Sequence, residues 1–182
     1  MIDGLTYVAG YLDPDEQAAT LACVDGEPWL AVLKRRVQHY GYRYDYTRRV
    51  ANDSLYLGPL PGWAAALAGR LAADGYAPAV CDQVIVNEYE PGQGISAHVD
   101  CVPCFGDTIL SISLGSPCAM VFSQLRGAAE QTLWLETGSL LVMRGAARYD
   151  WKHAIPARKT DLVDGEARRR GRRVSLTFRT VI

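Results

Sequence analysis

The sequence has 182 residues, of which 49% are hydrophobic and 21% charged, and its formal net charge is −1. This balance predicts one folded domain and argues against a disordered chain. It also argues against a protein that binds nucleic acid through an overall basic charge, although it is compatible with a local basic patch. The first residues carry no signal-peptide pattern, and no run of about 18 apolar residues predicts a membrane helix. We therefore expect a cytoplasmic monomer with no membrane partner.

Two helices are predicted in the N-terminal part, residues 1–79. The first, over 14–24, begins after Asp13, a typical N-cap that is followed by proline and, three positions on, by an acidic residue that completes a capping box. The second helix is predicted over 62–73, after a proline. Between the helices, residues 29–46 mix aromatic and basic side chains, which favours a strand or hairpin.

From residue 80 onward, short apolar runs alternate with turns rich in glycine and proline. Many short strands separated in this way are typical of a sandwich or barrel, so residues 80–182 are predicted to form a β core that the N-terminal helices buttress on one face. The whole chain is then a single α+β domain. The polar stretch 158–173 is predicted to be an exposed loop. The predicted strands lie at residues 84–86, 109–114, 120–122, 132–135, 139–143 and 174–180.

Two of the five cysteines, Cys101 and Cys104, form a single CxxC motif. A structural zinc site needs about four ligands, and the other cysteines are scattered singly. A dithiol redox pair is a second alternative. The sequence favours neither, and we expect two ordinary reduced thiols in a loop.

An HxD motif, formed by His98 and Asp100, follows a glycine-rich turn. A further histidine, His153, precedes an apolar pair. On a strand, residues two apart point to the same face, so His98 and Asp100 can converge on one ion. Two histidines and one carboxylate form the facial triad of non-haem Fe(II) oxygenases, which leaves open positions for a cosubstrate and O₂. By itself the HxD motif is also compatible with a solvated histidine beside an aspartate.

Four polar side chains alternate near the C-terminus with apolar ones, and they are Arg173, Ser175, Thr177 and Arg179. With a period of two, these four residues share one strand face. Two inward-facing arginines are unfavourable unless an anion meets them, and a dicarboxylate suits the forked guanidinium group. A solvent-facing basic edge strand is the alternative for this segment.

Asn87 and Tyr89 precede the HxD turn and share a strand face by the same alternation. Both side chains can donate hydrogen bonds to carboxylate oxygens. A merely polar strand face is the alternative explanation.

Together these motifs resemble the AlkB family of Fe(II)/2-oxoglutarate-dependent dioxygenases, over residues 84–180 and more loosely back to Arg35. The order and combination of the motifs carry the resemblance. Within the family, the segments 87–100, 111–116 and 139–143 look most like the catalytic domain of the branch that hydroxylates a modified wobble uridine in tRNA. The resemblance implies a double-stranded β-helix, or jelly roll, with N-terminal buttressing helices.

The resemblance also implies the cofactors and their ligands. Fe(II) would be held by His98, Asp100 and His153, and O₂ would be a cosubstrate with 2-oxoglutarate. The distal carboxylate of 2-oxoglutarate would meet Arg173 and Tyr89, and its metal-side carboxylate would meet Arg179 and Asn87. Ser175 stands where the family often has asparagine, which weakens one cosubstrate hydrogen bond.

A nucleic-acid substrate, DNA or RNA, is implied by the same resemblance. The segment around Tyr42 and Tyr44 looks like part of the family's nucleotide-recognition lid, in which the rings would stack on bases or bind phosphate. Arg43 and Arg48 would add positive charge. The alternative is a strand whose aromatic face packs on the core.

Two further positions bear on the substrate. Val102 stands where the bacterial repair enzyme of the family has an acidic residue beside the damaged base, which puts that enzyme's base preference in doubt here. Arg148 is a further candidate for a substrate contact. The basic run 168–170 either meets phosphate or is solvated in a loop, and we favour the loop.

We expect oxidative demethylation of alkylated bases in DNA or RNA. The alternatives are a tRNA-modifying hydroxylase or demethylase, a dioxygenase that acts on protein or lipid, and a binding module that has lost catalysis. The complete set of candidate metal ligands argues against the last of these.

Overall fold

Twelve strands and three α-helices make up residues 2–182, the part of the chain that the computed structural model describes. The helices are α1 (Pro14–Asp25), α2 (Gly62–Ala73) and α3 (Gly145–Tyr149). In chain order the strands are β1 (Leu5–Val8), β2 (Val37–Tyr40), β3 (Gln83–Tyr89), β4 (Ile95–His98), β5 (Ile109–Gly115), β6 (Cys118–Gln124), β7 (Glu130–Leu135), β8 (Leu140–Met143), β9 (Trp151–Ile155), β10 (Thr160–Val163), β11 (Glu166–Arg169) and β12 (Arg173–Arg179).

Two antiparallel sheets face each other. The larger has the strand order β1-β8-β5-β12-β3-β2, and the smaller has the order β4-β9-β6-β7. This two-layer arrangement confirms the predicted double-stranded β-helix. The N-terminal part contributes more than the predicted helices, because β1 and β2 add the two edge strands of the larger sheet.

Strand β12 lies in the middle of the larger sheet, between β5 and β3, and all seven of its residues are buried. Its apolar residues Val174, Leu176 and Phe178 belong to the core cluster that also contains residues of α1 and α2. Its polar residues therefore face the interior between the two sheets, since successive side chains alternate. The alternative of a solvent-facing edge strand is thereby excluded.

The predicted helices cover the outer face of the larger sheet. At the start of α1, Asp13 Oδ1 accepts a hydrogen bond from the Glu16 backbone N–H, and the Asp13 N–H donates to Glu16 Oε2, both at 2.9 Å. This is the capping box that the sequence predicts. Helix α2 buries Ala64, Ala68 and Leu71 in the same cluster, and small residues allow the helix to approach the sheet closely.

The prediction of an exposed loop over 158–173 is wrong. The stretch contains the hairpin β10–β11, and Asp161 on β10 is fully buried. The Asp161 carboxylate accepts hydrogen bonds from Arg158 (2.7 Å) and from Arg170 (2.6 and 2.7 Å). Arg170 is buried by this pairing, whereas residues 168–169 are exposed. A high density of charge does not distinguish a solvated loop from one that folds over its own ion pair.

Cys101 and Cys104 form a disulfide, which corrects the expectation of two free thiols. The backbone turns directly after Asp100, with the Cys104 N–H donating to the Cys101 carbonyl, and brings the two Cα atoms to 5.3 Å. A separation of this size is within the range that a disulfide bridges. Within residues 2–182, the cysteines take part in no cluster of three or more potential metal ligands.

None of the helices in the described part of the chain is both long and apolar enough to cross a lipid bilayer.

Candidate metal centre and its two cavities

His98, Asp100 and His153 lie together between the sheets. Strands β4 and β9 pair with His98 opposite His153, and Asp100 follows two residues after the end of β4. The potential ligand atoms of the three residues all lie within 4.8 Å of one another. A glycine in the turn before β4 allows the strands to approach, because a Cβ on Gly94 would lie 2.1 Å from the Ile155 carbonyl oxygen. These two histidines and one carboxylate form the cluster of potential metal ligands found within residues 2–182.

The ionisation of Asp100 and His153 and the ring orientation of His98 suit metal ligation. Burial opposes ionisation of Asp100, but the guanidinium of Arg179, whose Nε donates to Asp100 Oδ2 over 3.1 Å, and the two histidines hold the pKa well below its usual range. Burial lowers the pKa of His153 to about 4, so its imidazole is neutral. His98 Nδ1 lies 2.8 Å from the Ser96 carbonyl, which requires an N–H there and leaves Nε2 free as a ligand.

An inner cavity of about 40 Å³ extends from the metal ligands into the space between the sheets. Arg173, Tyr89 and Ser175 line it, and all three are buried. Arg173 Nη2 donates to Ser113 Oγ at 2.9 Å, but its Nε and Nη1 are buried without a hydrogen-bond partner among the described residues. A buried guanidinium with unused donors requires an anion, so this end of the cavity fits a carboxylate of 2-oxoglutarate.

Arg179 lies at the metal-side end of the cavity, whereas Asn87, on the neighbouring strand, does not line this cavity. Arg179 Nη1 donates to Gln83 Oε1 at 3.2 Å, and Asn87 Oδ1 accepts from Arg35 Nε at 2.9 Å. Neither Gln83 nor Arg35 has a role in the predicted site. Gln83 lies four residues before Asn87 on β3, so the period of two could have placed it on the same face. No local signal connects Arg35 with Asn87.

An outer cavity of about 610 Å³ meets the metal site from the protein surface. It shares His98, Asp100 and Arg179 with the inner cavity. Basic and aromatic side chains form much of its wall, among them Lys34, Arg35, Tyr44, Tyr46, Arg49 and Phe105. The metal site therefore stands between a small anion-binding space and a larger space that is open to solvent.

The structure brings some of the predicted substrate residues to this cavity and not others. Tyr44 lies in its wall, but Tyr42, Arg43 and Arg48 do not. Tyr42 instead pairs with Tyr56, with ring centroids 5.0 Å apart. Val102 is 47% exposed and lines a hollow beside the disulfide loop that adjoins the outer cavity through Asp100 and Cys101.

Arg148 is buried behind the metal site and does not line the outer cavity, contrary to its expected contact with substrate. Its guanidinium donates to the backbone carbonyls of Asp100 (2.9 Å), Cys101 (3.3 Å) and Phe105 (3.4 Å). The side chain thus ties α3, which immediately precedes the strand of His153, to the loop that carries Asp100. The short distance in sequence between Arg148 and His153 indicated that Arg148 lies near the site. It did not indicate which way the Arg148 side chain points.

The chain matches known proteins over most of its length. Residues 30–179 match the family model of the 2OG-Fe(II) oxygenase superfamily. The chain is 36% identical, over an alignment 203 positions long, to an Arabidopsis thaliana protein described as an alkylated DNA repair protein ALKBH8 homolog. The match covers 99% of this chain and 59% of that protein. A mouse tRNA (carboxymethyluridine(34)-5-O)-methyltransferase ALKBH8 is 38% identical, with 81% of this chain and 24% of that protein covered.

Among solved structures, that of OsALKBH1 superposes with a TM-score of 0.74, and the match covers 97% of this chain and 96% of that one. The identity is 17%, so this likeness concerns the fold alone. The family model, the curated relatives and the fold agree with the His-Asp-His cluster between the sheets. The chain belongs to the AlkB family of the 2OG-Fe(II) oxygenase superfamily, whose members use Fe(II), 2-oxoglutarate and O₂.

Proposed function

We propose that this chain oxidises alkyl groups on nucleic-acid bases, in DNA or RNA, and releases methyl groups from alkylated bases. The observation that carries the proposal is the position of the metal site between the two cavities. The inner cavity ends in the partly unpaired guanidinium of Arg173, and the outer cavity offers the basic and aromatic groups that nucleic acids favour.

The cofactor side of the reaction is assigned to residues between the sheets. Fe(II) would be held by His98, Asp100 and His153, and when bound it supplies the activation of O₂ that C–H oxidation requires. Arg173, with Tyr89 and Ser175 beside it, would hold the distal carboxylate of 2-oxoglutarate. Its metal-side carboxylate would meet Arg179 and Asn87. These residues orient the cosubstrate, and the apolar residues around them exclude water.

The substrate side is assigned to the outer cavity and its rim. Tyr44 would stack on a base inside the cavity, and Arg49 would attract the phosphate backbone. Tyr42, Arg43 and Arg48, which lie outside the cavity, would meet the nucleotides that flank the target. Contacts of this kind fix the position of the strand and carry little sequence information.

The product depends on the atom that bears the oxidised carbon. A hydroxylated methyl group on nitrogen collapses to formaldehyde and the unmodified base, whereas a hydroxyl group on a carbon substituent remains. The second outcome describes a tRNA-modifying hydroxylase. It is the second candidate function because the mouse relative is named as a tRNA enzyme and because the outer cavity has no acidic side chain besides the metal ligand Asp100.

The test is turnover of 2-oxoglutarate with Fe(II) in the presence of matched methylated DNA, methylated RNA or total tRNA, followed by mass spectrometry. Loss of a methyl mass from an oligonucleotide, with release of succinate, supports demethylation. A gain of one oxygen on tRNA supports the second candidate instead. Succinate release without any change in nucleic acid contradicts both and directs attention to protein or lipid substrates.

Two variants provide the controls. His153→Ala should abolish turnover because it removes a metal ligand, and full cellular function of this variant would favour a binding module without catalysis. Lys152→Ala should keep turnover, since the neighbouring residue on β9 points to the opposite face. The monomeric state and cytoplasmic location stay predictions, which sedimentation and fluorescence microscopy of a tagged protein would test.

A further inference from the structure

The Cys101–Cys104 disulfide directly follows the metal ligand Asp100, and neither the predicted site nor the proposed function gives it a role. Cys101 lines the outer cavity, and it also lines the adjoining hollow of about 340 Å³ in which Val102 lies. Cys104 is buried and lines neither space. Cys101 is therefore the member of the pair that a small solute approaches from solvent.

Both sulfur atoms of the pair lie against one backbone oxygen. Cys101 Sγ and Cys104 Sγ are each 3.3 Å from the carbonyl oxygen of Arg49, which accepts no other hydrogen bond from the described residues. A thiol is a weak hydrogen-bond donor, whereas a disulfide sulfur carries no hydrogen. The Arg49 carbonyl therefore gains a donor from the described residues only when the pair is reduced.

Arg49 belongs to a turn over residues 45–50, the rim turn, which is closed by pairing between Asp45 and Val50. Arg49 has a φ of 55°, a left-handed conformation that residues other than glycine adopt only when their surroundings hold it. Tyr46 and Arg49 of the rim turn line the outer cavity. A hydrogen bond at the Arg49 carbonyl thus fixes part of the cavity wall to residues 100–105, the metal loop.

The metal loop is also held by hydrogen bonds that do not involve its sulfur atoms. Arg148 donates to the backbone carbonyl of Cys101 at 3.3 Å. The Ile182 backbone N–H donates to the Cys104 carbonyl at 3.1 Å. Neither bond depends on the redox state of the pair. Reduction should therefore change the contact with the rim turn and leave the position of Asp100 unchanged.

We propose that Cys101 and Cys104 form a reversible redox site, whose reduction by a small dithiol ties the rim turn to the metal loop and strengthens binding of substrate. The part that concerns substrate rests on the proposed function, because it takes a nucleic acid to occupy the outer cavity. The disulfide form keeps the metal site but holds the cavity wall less firmly.

The reduction is a thiol–disulfide exchange. A thiolate of the dithiol attacks Cys101 Sγ, the bond between Cys101 and Cys104 breaks, and Cys104 leaves as a thiolate that takes up a proton. The second thiol of the reagent then attacks the reagent's sulfur atom in the mixed disulfide and releases Cys101 as a thiol. In total two electrons and two protons pass to the protein, and the dithiol becomes a cyclic disulfide.

The test begins with dithiothreitol on the folded protein, followed by alkylation in denaturant and peptide mass mapping. Cys101 and Cys104 should be alkylated only after dithiothreitol treatment. Affinity for methylated DNA, methylated RNA and total tRNA is then measured with Mn(II) and 2-oxoglutarate, after removal of the reductant and without O₂. The reduced protein should bind nucleic acid about threefold more tightly, because it gains a weak hydrogen bond, and both forms should bind Mn(II) equally. This comparison needs no substitution and so does not depend on how any variant folds.

Two double variants separate the hydrogen bond from the crosslink. Cys101→Ser with Cys104→Ser removes the disulfide but supplies hydroxyl donors, so it should bind nucleic acid like the reduced wild type. Cys101→Ala with Cys104→Ala removes both the disulfide and the donors, so it should bind like the oxidised wild type. Neither variant should respond to dithiothreitol. Cys23→Ser, at an exposed position of α1, is the control and should keep the full response.

The inference is wrong if dithiothreitol leaves the pair unlabelled in the folded protein, or if the two redox forms of the wild type bind nucleic acid equally. It is also wrong if reduction changes the affinity for Mn(II), or if the alanine variant binds nucleic acid as tightly as the serine variant. If nucleic acid is still oxidised in the turnover assay, only the redox role is removed and the proposed function remains. Absence of both binding and oxidation removes both.

Discussion

Arg179 Nε donates to Oδ2 of Asp100 over 3.1 Å, so an ion pair joins the end of β12 to the loop that follows β4. Both side chains are buried, and the pair lies where the inner and outer cavities meet. The arginine keeps the carboxylate ionised and directed at the metal site, and its charge is also available to a bound carboxylate. In the proposed site, this one residue would serve both the metal and the cosubstrate.

Arg179→Ala is expected to weaken binding of 2-oxoglutarate about a hundredfold, because a buried carboxylate loses its charged partner. It should also weaken Mn(II) binding, since Asp100 loses the charge that lowers its pKa. Calorimetry of the Mn(II)-loaded protein measures the first effect, and electron paramagnetic resonance of free Mn(II) measures the second. Arg169→Ala, on an exposed strand, is the control. Wild-type affinity for 2-oxoglutarate in Arg179→Ala would mean that the anion site lies elsewhere.

Arg173→Met is expected to abolish the stabilisation that 2-oxoglutarate gives to the folded protein. In the wild type, saturating 2-oxoglutarate should raise the midpoint of thermal unfolding, as any ligand specific to the native state does. Without the cosubstrate, the variant should be at least as stable as the wild type, because two buried donors of Arg173 have no partner. A variant that still responds to 2-oxoglutarate would contradict the assignment of Arg173.

Arg148→Met is expected to weaken Mn(II) binding about tenfold, because the carbonyls of Asp100 and Cys101 lose a charged donor and the loop loses its fixed position. Arg148→Lys should restore part of the affinity, since an ammonium group can reach one of these carbonyls. Affinity for oligonucleotides should change less than affinity for the metal. If affinity for oligonucleotides fell more than affinity for Mn(II), the result would support the original expectation that Arg148 contacts the substrate.

Asp161→Asn is expected to lower the free energy of unfolding by about 3 kcal/mol at pH 7. Burial alone raises the pKa of Asp161, but the hydrogen bonds from Arg170 and Arg158 outweigh it and leave the pKa below its usual value. A carboxyl group with a lowered folded-state pKa stabilises the protein above its unfolded-state pKa of about 3.9 and loses that effect as the pH falls through the folded value.

The difference in stability between wild type and Asp161→Asn should therefore narrow below about pH 4, as denaturant titrations at several pH values would show. Asp164→Asn, in the exposed turn of the same hairpin, is the matched control and should have little effect. A difference that stays constant down to pH 3 would mean that the carboxylate is not the stabilising group.

Much of the site was predictable because it depends on local geometry. The period of two along a strand places Arg173, Ser175 and Arg179 on one face and requires no knowledge of the neighbouring strands. The capping box of α1 is likewise contained within a few residues. The facial triad of two histidines and one carboxylate made His153 the candidate for the distant third ligand, the resemblance to the AlkB family agreed, and the structure places it beside His98 and Asp100.

The remaining features depend on pairs of residues that are far apart in the sequence. Arg35 meets Asn87 across 52 positions, and Arg148 meets Asp100 across 48. The family resemblance indicated a lid around Tyr42 and Tyr44, but which of these rings reaches the outer cavity depends on how the segment packs.

Sequence alone therefore determined the alternating strand faces, the helix starts and the types of residue available for metal and anion binding, because backbone geometry over a few residues sets these. Only the tertiary structure decided which polar groups are paired and which are left for a ligand. Asp161 is an example of a buried group that is paired, and Arg173, with two donors that have no partner among the described residues, is an example of a group left for a ligand. The physical reason is that desolvation and hydrogen bonding depend on every neighbour in space, and most of those neighbours are distant along the chain.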